Sequence, residues 1–193
     1  MTNYKIYVLT QSEKRKYYIL SGLLLAFLGY LFYRNLWLSL LCAAVAKPLE
    51  KEFSLGKISI TPYKGNHALG KLRGPVGSSA SYSIRAGGRS LFITGDSLLD
   101  DLLRTSLNNA RPDFLAAFAG SASFIFGSPI TLGADELKQI ARILPETKII
   151  AVHMNAINHC SLTKNHLSEF AVSNGLSQRL SIPGEGAILP LGM

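Results

Sequence analysis

The sequence predicts an α/β layered fold for residues 51–193, preceded by a basic and hydrophobic segment over residues 1–50. Three observations carry the prediction. Short runs rich in β-branched residues alternate with amphipathic stretches of helical length, the pattern of a sheet layered with helices. The composition changes after Lys47-Pro48-Leu49-Glu50-Lys51-Glu52 from strongly apolar to that of an ordinary globular domain. The apolar run Leu91-Phe92-Ile93-Thr94 stops in Gly95-Asp96-Ser97, which puts a carboxylate at a strand's C-terminal edge, where α/β folds collect their chemistry.

A chain of 193 residues allows one domain with a real core plus an appendage. The hydrophobic fraction is 48% and the charged fraction 17%, and much of the apolar excess lies in the N-terminal block. The net charge of +8 would suit nucleic acid or an anionic surface, yet no basic stripe with interleaved aromatics is present, so no nucleic-acid partner is expected. Two cysteines, Cys42 and Cys160, are too few for a disulfide framework.

Residues 17–33 carry no charge, and residues 35–46 continue largely apolar beyond Arg34. Seventeen helical residues reach about 26 Å, slightly short of a ~30 Å hydrocarbon core. Continuing past Arg34 makes the span sufficient, at about 2.5–3.5 kcal/mol if that arginine sat at the centre. Tyr17, Tyr18, Tyr30, Tyr33 and Trp37 suit interfacial anchors, and Lys14-Arg15-Lys16 predicts a cytoplasmic N-terminus. The segment therefore reads as a single N-terminal membrane helix. A signal peptide ending near Ala43-Ala44-Val45-Ala46 and a buried core helix are the rivals, and a cytoplasmic location is the alternative to a membrane one.

Along the domain, residues 58–61 alternate with period two and read as a strand that Pro62 and Lys64-Gly65-Asn66 should end. The glycine-rich residues 68–79 read as a loop. Residues 81–85 and 90–94 form a hairpin around Gly87-Gly88. Ser97 fits an N-cap with Asp100 at the third helical position, and Leu98, Leu99, Leu102, Leu103 and Leu107 give that helix an apolar face up to Arg111-Pro112. Residues 113–118 read as a buried strand. A second helix starts near Gly133, shows Leu137, Ile140, Ala141 and Leu144 at helical spacing, and stops at Pro145. Residues 148–152 form a strand delivering His153. Thr163 caps a third helix, with Leu162 and Leu167 as a staple and Asn174-Gly175 as its close. Residues 179–182 and 187–191 are short final strands.

Four histidines are present: His67, His153, His159 and His166. His67 and His153 follow strands, as Asp96 does, and imidazole and carboxylate converging on one sheet edge are what a zinc or similar site requires. Each also has a plain structural reading, as a hydrogen-bonded loop histidine or a turn-forming aspartate. His159-Cys160 reads as a polar loop beside a buried cysteine, and His166 as a solvent-facing residue of a helix's first turn.

Gly95-Asp96-Ser97-Leu98 is similar to the first block of GDSL-type lipases and esterases, which would make Ser97 a nucleophile. That family's downstream Gly-x-Asn-Asp and Asp-x-x-His blocks have no counterpart here. A second resemblance covers more of the chain. Ile60-Thr61-Pro62 with Gly65-Asn66-His67, Leu91 to Asp96, Pro112-Asp113-Phe114-Leu115 with Ala119-Gly120, Pro129-Ile130-Thr131-Leu132, Ile149 to Met154, Asn158-His159-Cys160 and Ile182-Pro183-Gly184-Glu185-Gly186 follow one another. In that order they resemble the C-terminal half of the metallo-β-lactamase fold, in particular its L-ascorbate-6-phosphate lactonase-like branch.

The resemblance implies half of an αββα sandwich, and a hydrolase acting on small esters, lactones or phosphorylated molecules through water activated by Zn2+, or by Mn2+ or Fe2+. It implies His67 as a ligand of one metal, Asp96 as a carboxylate bridging two, and His153 as a ligand of the second. Asn158 and His159 then lie beyond the last ligand, facing substrate. The family's His-x-His-x-Asp-His motif, which precedes these blocks, is absent from the chain. The expectation is therefore a truncated or rearranged relative, or an incomplete or frame-shifted product, that binds metal poorly and is weakly active or inactive. With the first β-layer missing, the remaining sheet should expose an apolar face for the N-terminal helix, a membrane, a second copy or a partner chain. A non-catalytic, membrane-anchored interaction domain is the reading from a different class.

Overall fold

The computed structural model describes residues 5–7, 51–68, 78–123, 129–154 and 160–190. By contacts the chain divides into a larger unit, chiefly Glu50–Pro183, and a smaller one, Asn3–Leu49 with Gly184–Met193. In the smaller unit, β1 (Lys5–Tyr7) pairs antiparallel with β9 (Ile188–Pro190), Ile6 facing Leu189. β9 falls within the final strand expected over residues 187–191, whereas β1 was not expected. The predicted membrane segment otherwise lies outside the described residues. Among the described residues no helix is long and apolar enough to cross a membrane.

The larger unit is one seven-stranded sheet in the order β2-β3-β4-β5-β6-β7-β8. β2 (Phe53–Leu55), β3 (Ile58–Asn66), β4 (Ser78–Ala86) and β5 (Arg89–Ile93) form an antiparallel meander. From β5 the sheet turns parallel through β6 (Phe114–Phe118), β7 (Lys148–Val152) and β8 (Leu180–Ser181). The parallel joins need crossovers, supplied by α1 (Asp101–Ala110), α2 (Ala134–Ile143) and α3 (Lys164–Ser173). Each new strand is added on the same side of the last, so crossovers of one hand bring all three helices to one face.

The core lies between that face and the helices. Phe92, Leu115, Ala117, Ile149 and Ala151 point into it from the strands, and meet Leu103 and Leu107 of α1, Leu137, Ile140 and Ala141 of α2, and Leu167 and Ala171 of α3. Their alternate neighbours occupy the opposite face. Ile60, Ile84, Leu91 and Phe114 stand in register across four strands there, beside Pro62, Tyr82, Ile93, Ala116 and Ile150. This second face is apolar, as expected, but it is not laid open. Phe114, Ala116 and Ile150 are buried, and the rest are intermediate in exposure.

Several local expectations hold. The β4–β5 turn has positive φ at both Gly87 (57°) and Gly88 (76°), as a tight hairpin requires. Gly133 precedes α2, with the Glu136 side chain accepting from its N–H, and Thr163 Oγ1 accepts from His166 N at the start of α3. Two expectations are corrected. β3 does not stop at Pro62 but runs on to Asn66, pairing Pro62 with Tyr82. β2 reaches only to the Phe53–Ile60 pair, so among the described residues no strand pairs with β3 on that side at Pro62, where a residue without an N–H is tolerated. The N-cap of α1 is Asp100, whose carboxylate accepts from Leu103 N, and not Ser97, whose side chain is buried three residues earlier.

Candidate metal centre

β3, β5 and β7 all run in the same direction: β3 and β5 are each antiparallel to β4, and β7 follows parallel through β6. Their C-terminal ends therefore share one edge of the sheet. His67 directly follows β3, Asp96 lies three residues beyond β5, and His153 directly follows β7. The three residues predicted as ligands thus come to one edge by topology. Asn158 and His159, the predicted substrate-facing pair, lie outside the described residues.

The Asp96 turn is held from both sides. Gly95 has φ +56°, and a Cβ on it would lie 2.6 Å from the backbone oxygen of Ala80, so the turn presses against β4 at a position open only to glycine. Thr94 is fully buried; its N–H donates to Ala116 O (3.1 Å), its hydroxyl donates to Gly95 O (2.9 Å) and accepts from Phe118 N (3.1 Å). This threonine ties the turn to β6, a role its place at the end of an apolar run did not signal.

Ser97 is fully buried among other serines. Its Oγ is 3.2 Å from Ser81 Oγ and 3.1 Å from Ser79 Oγ, and Ser81 Oγ donates onward to Thr94 O at 2.7 Å. Among the described residues its hydrogen-bond partners are hydroxyls and include no base. The nucleophile reading fails on that geometry, since an activated serine needs a general base within hydrogen-bond reach and access to substrate. The serine locks the turn instead, and Gly65 on β3 leaves it room, because a Cβ there would collide with Ser97 Oγ.

His67 Nδ1 lies 2.9 Å from Asp96 O and 3.0 Å from Ile130 O. Both partners are carbonyl oxygens and can only accept, so Nδ1 carries the proton. In the neutral ring Nε2 then keeps its lone pair, the tautomer of a histidine that binds metal through Nε2 with its other nitrogen held by a carbonyl. His153 sits at φ +57°, left-handed for a non-glycine residue, and its ring stacks on Phe118 at 4.9 Å between centroids. Its Nε2 is 3.6 Å from Asp96 Oδ1. Gly120 makes space behind it, since a Cβ there would lie 2.8 Å from His153 O.

Asp96 Oδ1 is buried and accepts no hydrogen bond, although the Asp96 side chain as a whole is 39% exposed and that of His153 27%. An orphaned carboxylate oxygen costs about 1–3 kcal/mol or more, which calls for a ligand. At 3.6 Å the Asp96–His153 separation is long for a hydrogen bond but close to the ~3.4 Å between two ligands of one tetrahedral zinc. The pair therefore fits a shared ion. His67 does not join it in one cluster: among the described residues no group of three or more His, Cys, Asp and Glu could hold a metal. Cys160, which bridges to Ala122, and His166, exposed in the first turn of α3, are not part of such a group.

No family model matches the chain. The UPF0173 protein YddR of Bacillus subtilis (strain 168) is 25% identical over 96 residues, which is 50% of this chain and 38% of that protein. In three dimensions the chain is similar to an isothiocyanate hydrolase from Delia radicum gut bacteria, with a TM-score of 0.70 and 24% identity over 74% of this chain and 58% of the other. A possible metal-dependent hydrolase from Veillonella parvula DSM 2008 gives a TM-score of 0.70 and 21% identity, covering 73% and 57%. The metallo-β-lactamase fold protein YhfI from Bacillus subtilis gives 0.53 and 16%, covering 75% and 54%. The fold is a mixed α/β sheet like part of that metallo-β-lactamase-fold protein. The chain spans 38% of the curated relative and less than 60% of each of these structures.

Proposed function

We propose that this chain is a metallo-β-lactamase-fold hydrolase with a half-built metal site, acting on small esters, lactones or phosphorylated molecules weakly or not at all. The observation that carries the reading is Asp96 Oδ1, buried without a hydrogen bond and 3.6 Å from His153 Nε2. Asp96 and His153 would share one ion, and His67, with Nε2 free, would offer a ligand to another. Bound there, zinc, manganese or iron would supply Lewis-acid polarisation of a carbonyl or phosphoryl oxygen. Two protein ligands for one ion and one for the other leave both coordination spheres open, so affinity is low. The lactonase-like branch is supported by the sequence blocks alone, and in it Asn158 and His159 would contact substrate.

The test is metal content. Full-length protein, saturated with zinc and then dialysed, should retain well under one equivalent, and Asp96→Ala should abolish that remainder. One or more equivalents retained, and lost in Asp96→Ala, would overturn the half-built site while keeping its location. Zinc unaffected by Asp96→Ala would overturn the location.

A second reading is favoured by the apolar second face, with Ile60, Ile84, Leu91 and Phe114 in register. Ile60, Ile84 and Leu91 are only half-buried there, and a partly accessible apolar face suits a non-catalytic interaction domain or a homo-oligomer. Sedimentation of the full chain distinguishes a monomer from a self-associating species.

A further inference from the structure

At the sheet edge opposite Asp96, where β3, β5 and β6 begin, lies a cleft of about 570 Å³. The β2–β3 turn, the β4–β5 turn and the segment between α1 and β6 border it. Its lining includes four cationic side chains, Lys57, Arg85, Arg89 and Arg111, against a single carboxylate, Asp113. All four cations are exposed.

The carboxylate is already engaged. Asp113 Oδ2 accepts from Ser90 N (2.7 Å) and Ser90 Oγ (2.8 Å), and Oδ1 accepts from Arg89 Nη1 (3.2 Å). Arg85 donates one Nη to Ala110 O at 3.0 Å and keeps its remaining donors. Among the described residues the side chains of Lys57 and Arg111 form no hydrogen bond or ion pair, the Arg111 backbone N–H donating to Leu107 O. Four positive charges against one negative leave an excess of three over the cleft. Like charges held together on a concave surface raise the local potential and attract an anion. Arg111 adds a backbone clue. It follows α1 at φ +38°, the left-handed position where glycine or asparagine is the common choice. The cleft's turns leave their backbone open as well: a Cβ at Gly56 or Gly88 would meet nothing within 4 Å.

We propose that this cleft binds a small phosphate-bearing anion, with the diphosphate group as the best match. Its volume falls within the ~300–1,000 Å³ of small-molecule sites. Guanidinium forks favour phosphate oxygens in bidentate pairs, and a lysine adds a point charge. A diphosphate at neutral pH carries enough charge to neutralise the excess of three, which a single carboxylate does not. The site is independent of the proposed metal centre, being built from the other ends of the same strands.

The test titrates inorganic pyrophosphate into the full-length protein by calorimetry at low ionic strength, in the presence of a chelator. One saturable equivalent is expected, weakening as salt rises. The double variant Lys57→Glu/Arg111→Glu should bind at least tenfold more weakly, with an unchanged far-ultraviolet circular dichroism spectrum because both side chains are exposed. Asp96→Ala should bind as the wild type does. Amide shifts on titrating the wild type should concentrate at Gly56, Gly87 and Gly88, which supplies the site assignment even if the double variant fails to fold. No saturable binding, affinity unchanged in a folded double variant, or shifts scattered away from those glycines would overturn the site. Equal affinity for citrate would overturn the choice of phosphate.

Discussion

The backbone carbonyl of Asp96 lies 2.9 Å from Nδ1 of His67, so two of the predicted ligands are joined through a main-chain oxygen and not through their metal-binding atoms. The bond leaves His67 Nε2 and the Asp96 carboxylate both available. It makes a prediction about tautomer: long-range nitrogen–proton correlation spectra of the metal-free protein at pH 8 should show His67 protonated on Nδ1. A proton on Nε2 would contradict the assignment and remove the free ligand. His67→Ala, which leaves Asp96 O and Ile130 O without this donor, should cost about 1–2 kcal/mol in urea unfolding.

Asp96 itself should contribute little to folding. Its Oδ1 has no hydrogen bond, and its approach to His153 is 3.6 Å between partly exposed side chains. Asp96→Ala in a chelator removes that unpartnered oxygen and should therefore leave stability unchanged or raise it, by up to about 1–3 kcal/mol. A loss above about 2 kcal/mol would show that the carboxylate is a structural element.

The glycines around the turn should be intolerant of change, each for a separate reason. Gly95→Ala combines a left-handed φ with an approach to Ala80 O, and should cost about 2–3 kcal/mol or prevent folding. Gly65→Ala collides with a side chain only. Removing that hydroxyl in a Gly65→Ala/Ser97→Ala double variant should recover at least about 0.5 kcal/mol, measured as the non-additive part of a double-mutant cycle. Strict additivity would place the contact elsewhere.

Asp113 sets an acid limb. Burial pushes its carboxyl up, but the hydrogen bonds from Ser90 and the Arg89 guanidinium outweigh that and hold it below the ordinary carboxylate range. A folded-state value below the unfolded one means the unfolded chain takes up the proton first. The stabilisation is therefore complete above about pH 4 and lost as pH falls through the lower folded value. Urea midpoints from pH 7 to 3 should show wild type ahead of Asp113→Asn at neutral pH, with the gap closing in acid. A gap that stays constant would exclude this linkage.

Much of the fold was legible locally. Gly87-Gly88 announced its hairpin, Thr163 its helix start, Pro145 its helix end, and the β-branched run 148–152 its strand, because each depends on neighbours in sequence. The misreadings were non-local. Ser97 looks like a cap by composition, yet it is the closeness of Ser79, Ser81 and Gly65 that buries it and leaves capping to Asp100. Pro62 looks like a strand end, yet among the described residues its outer neighbour strand stops two positions earlier, at the Phe53–Ile60 pair, and claims no N–H from it.

For the candidate site, the sequence by itself determined which residues stand at strand ends: His67, Asp96 and His153 each follow an apolar or alternating run. Only the tertiary structure decided that these ends share one edge, since that depends on β4 reversing the chain between β3 and β5. It also decided that Asp96 and His153 approach while His67 binds a carbonyl. The cleft of Lys57, Arg85, Arg89 and Arg111 left no local signal, because its charges lie on separate turns that only strand pairing brings together. Local propensity acts through adjacent residues; a site is an alignment of distant ones, and that alignment is set by the register and direction of the strands that carry them.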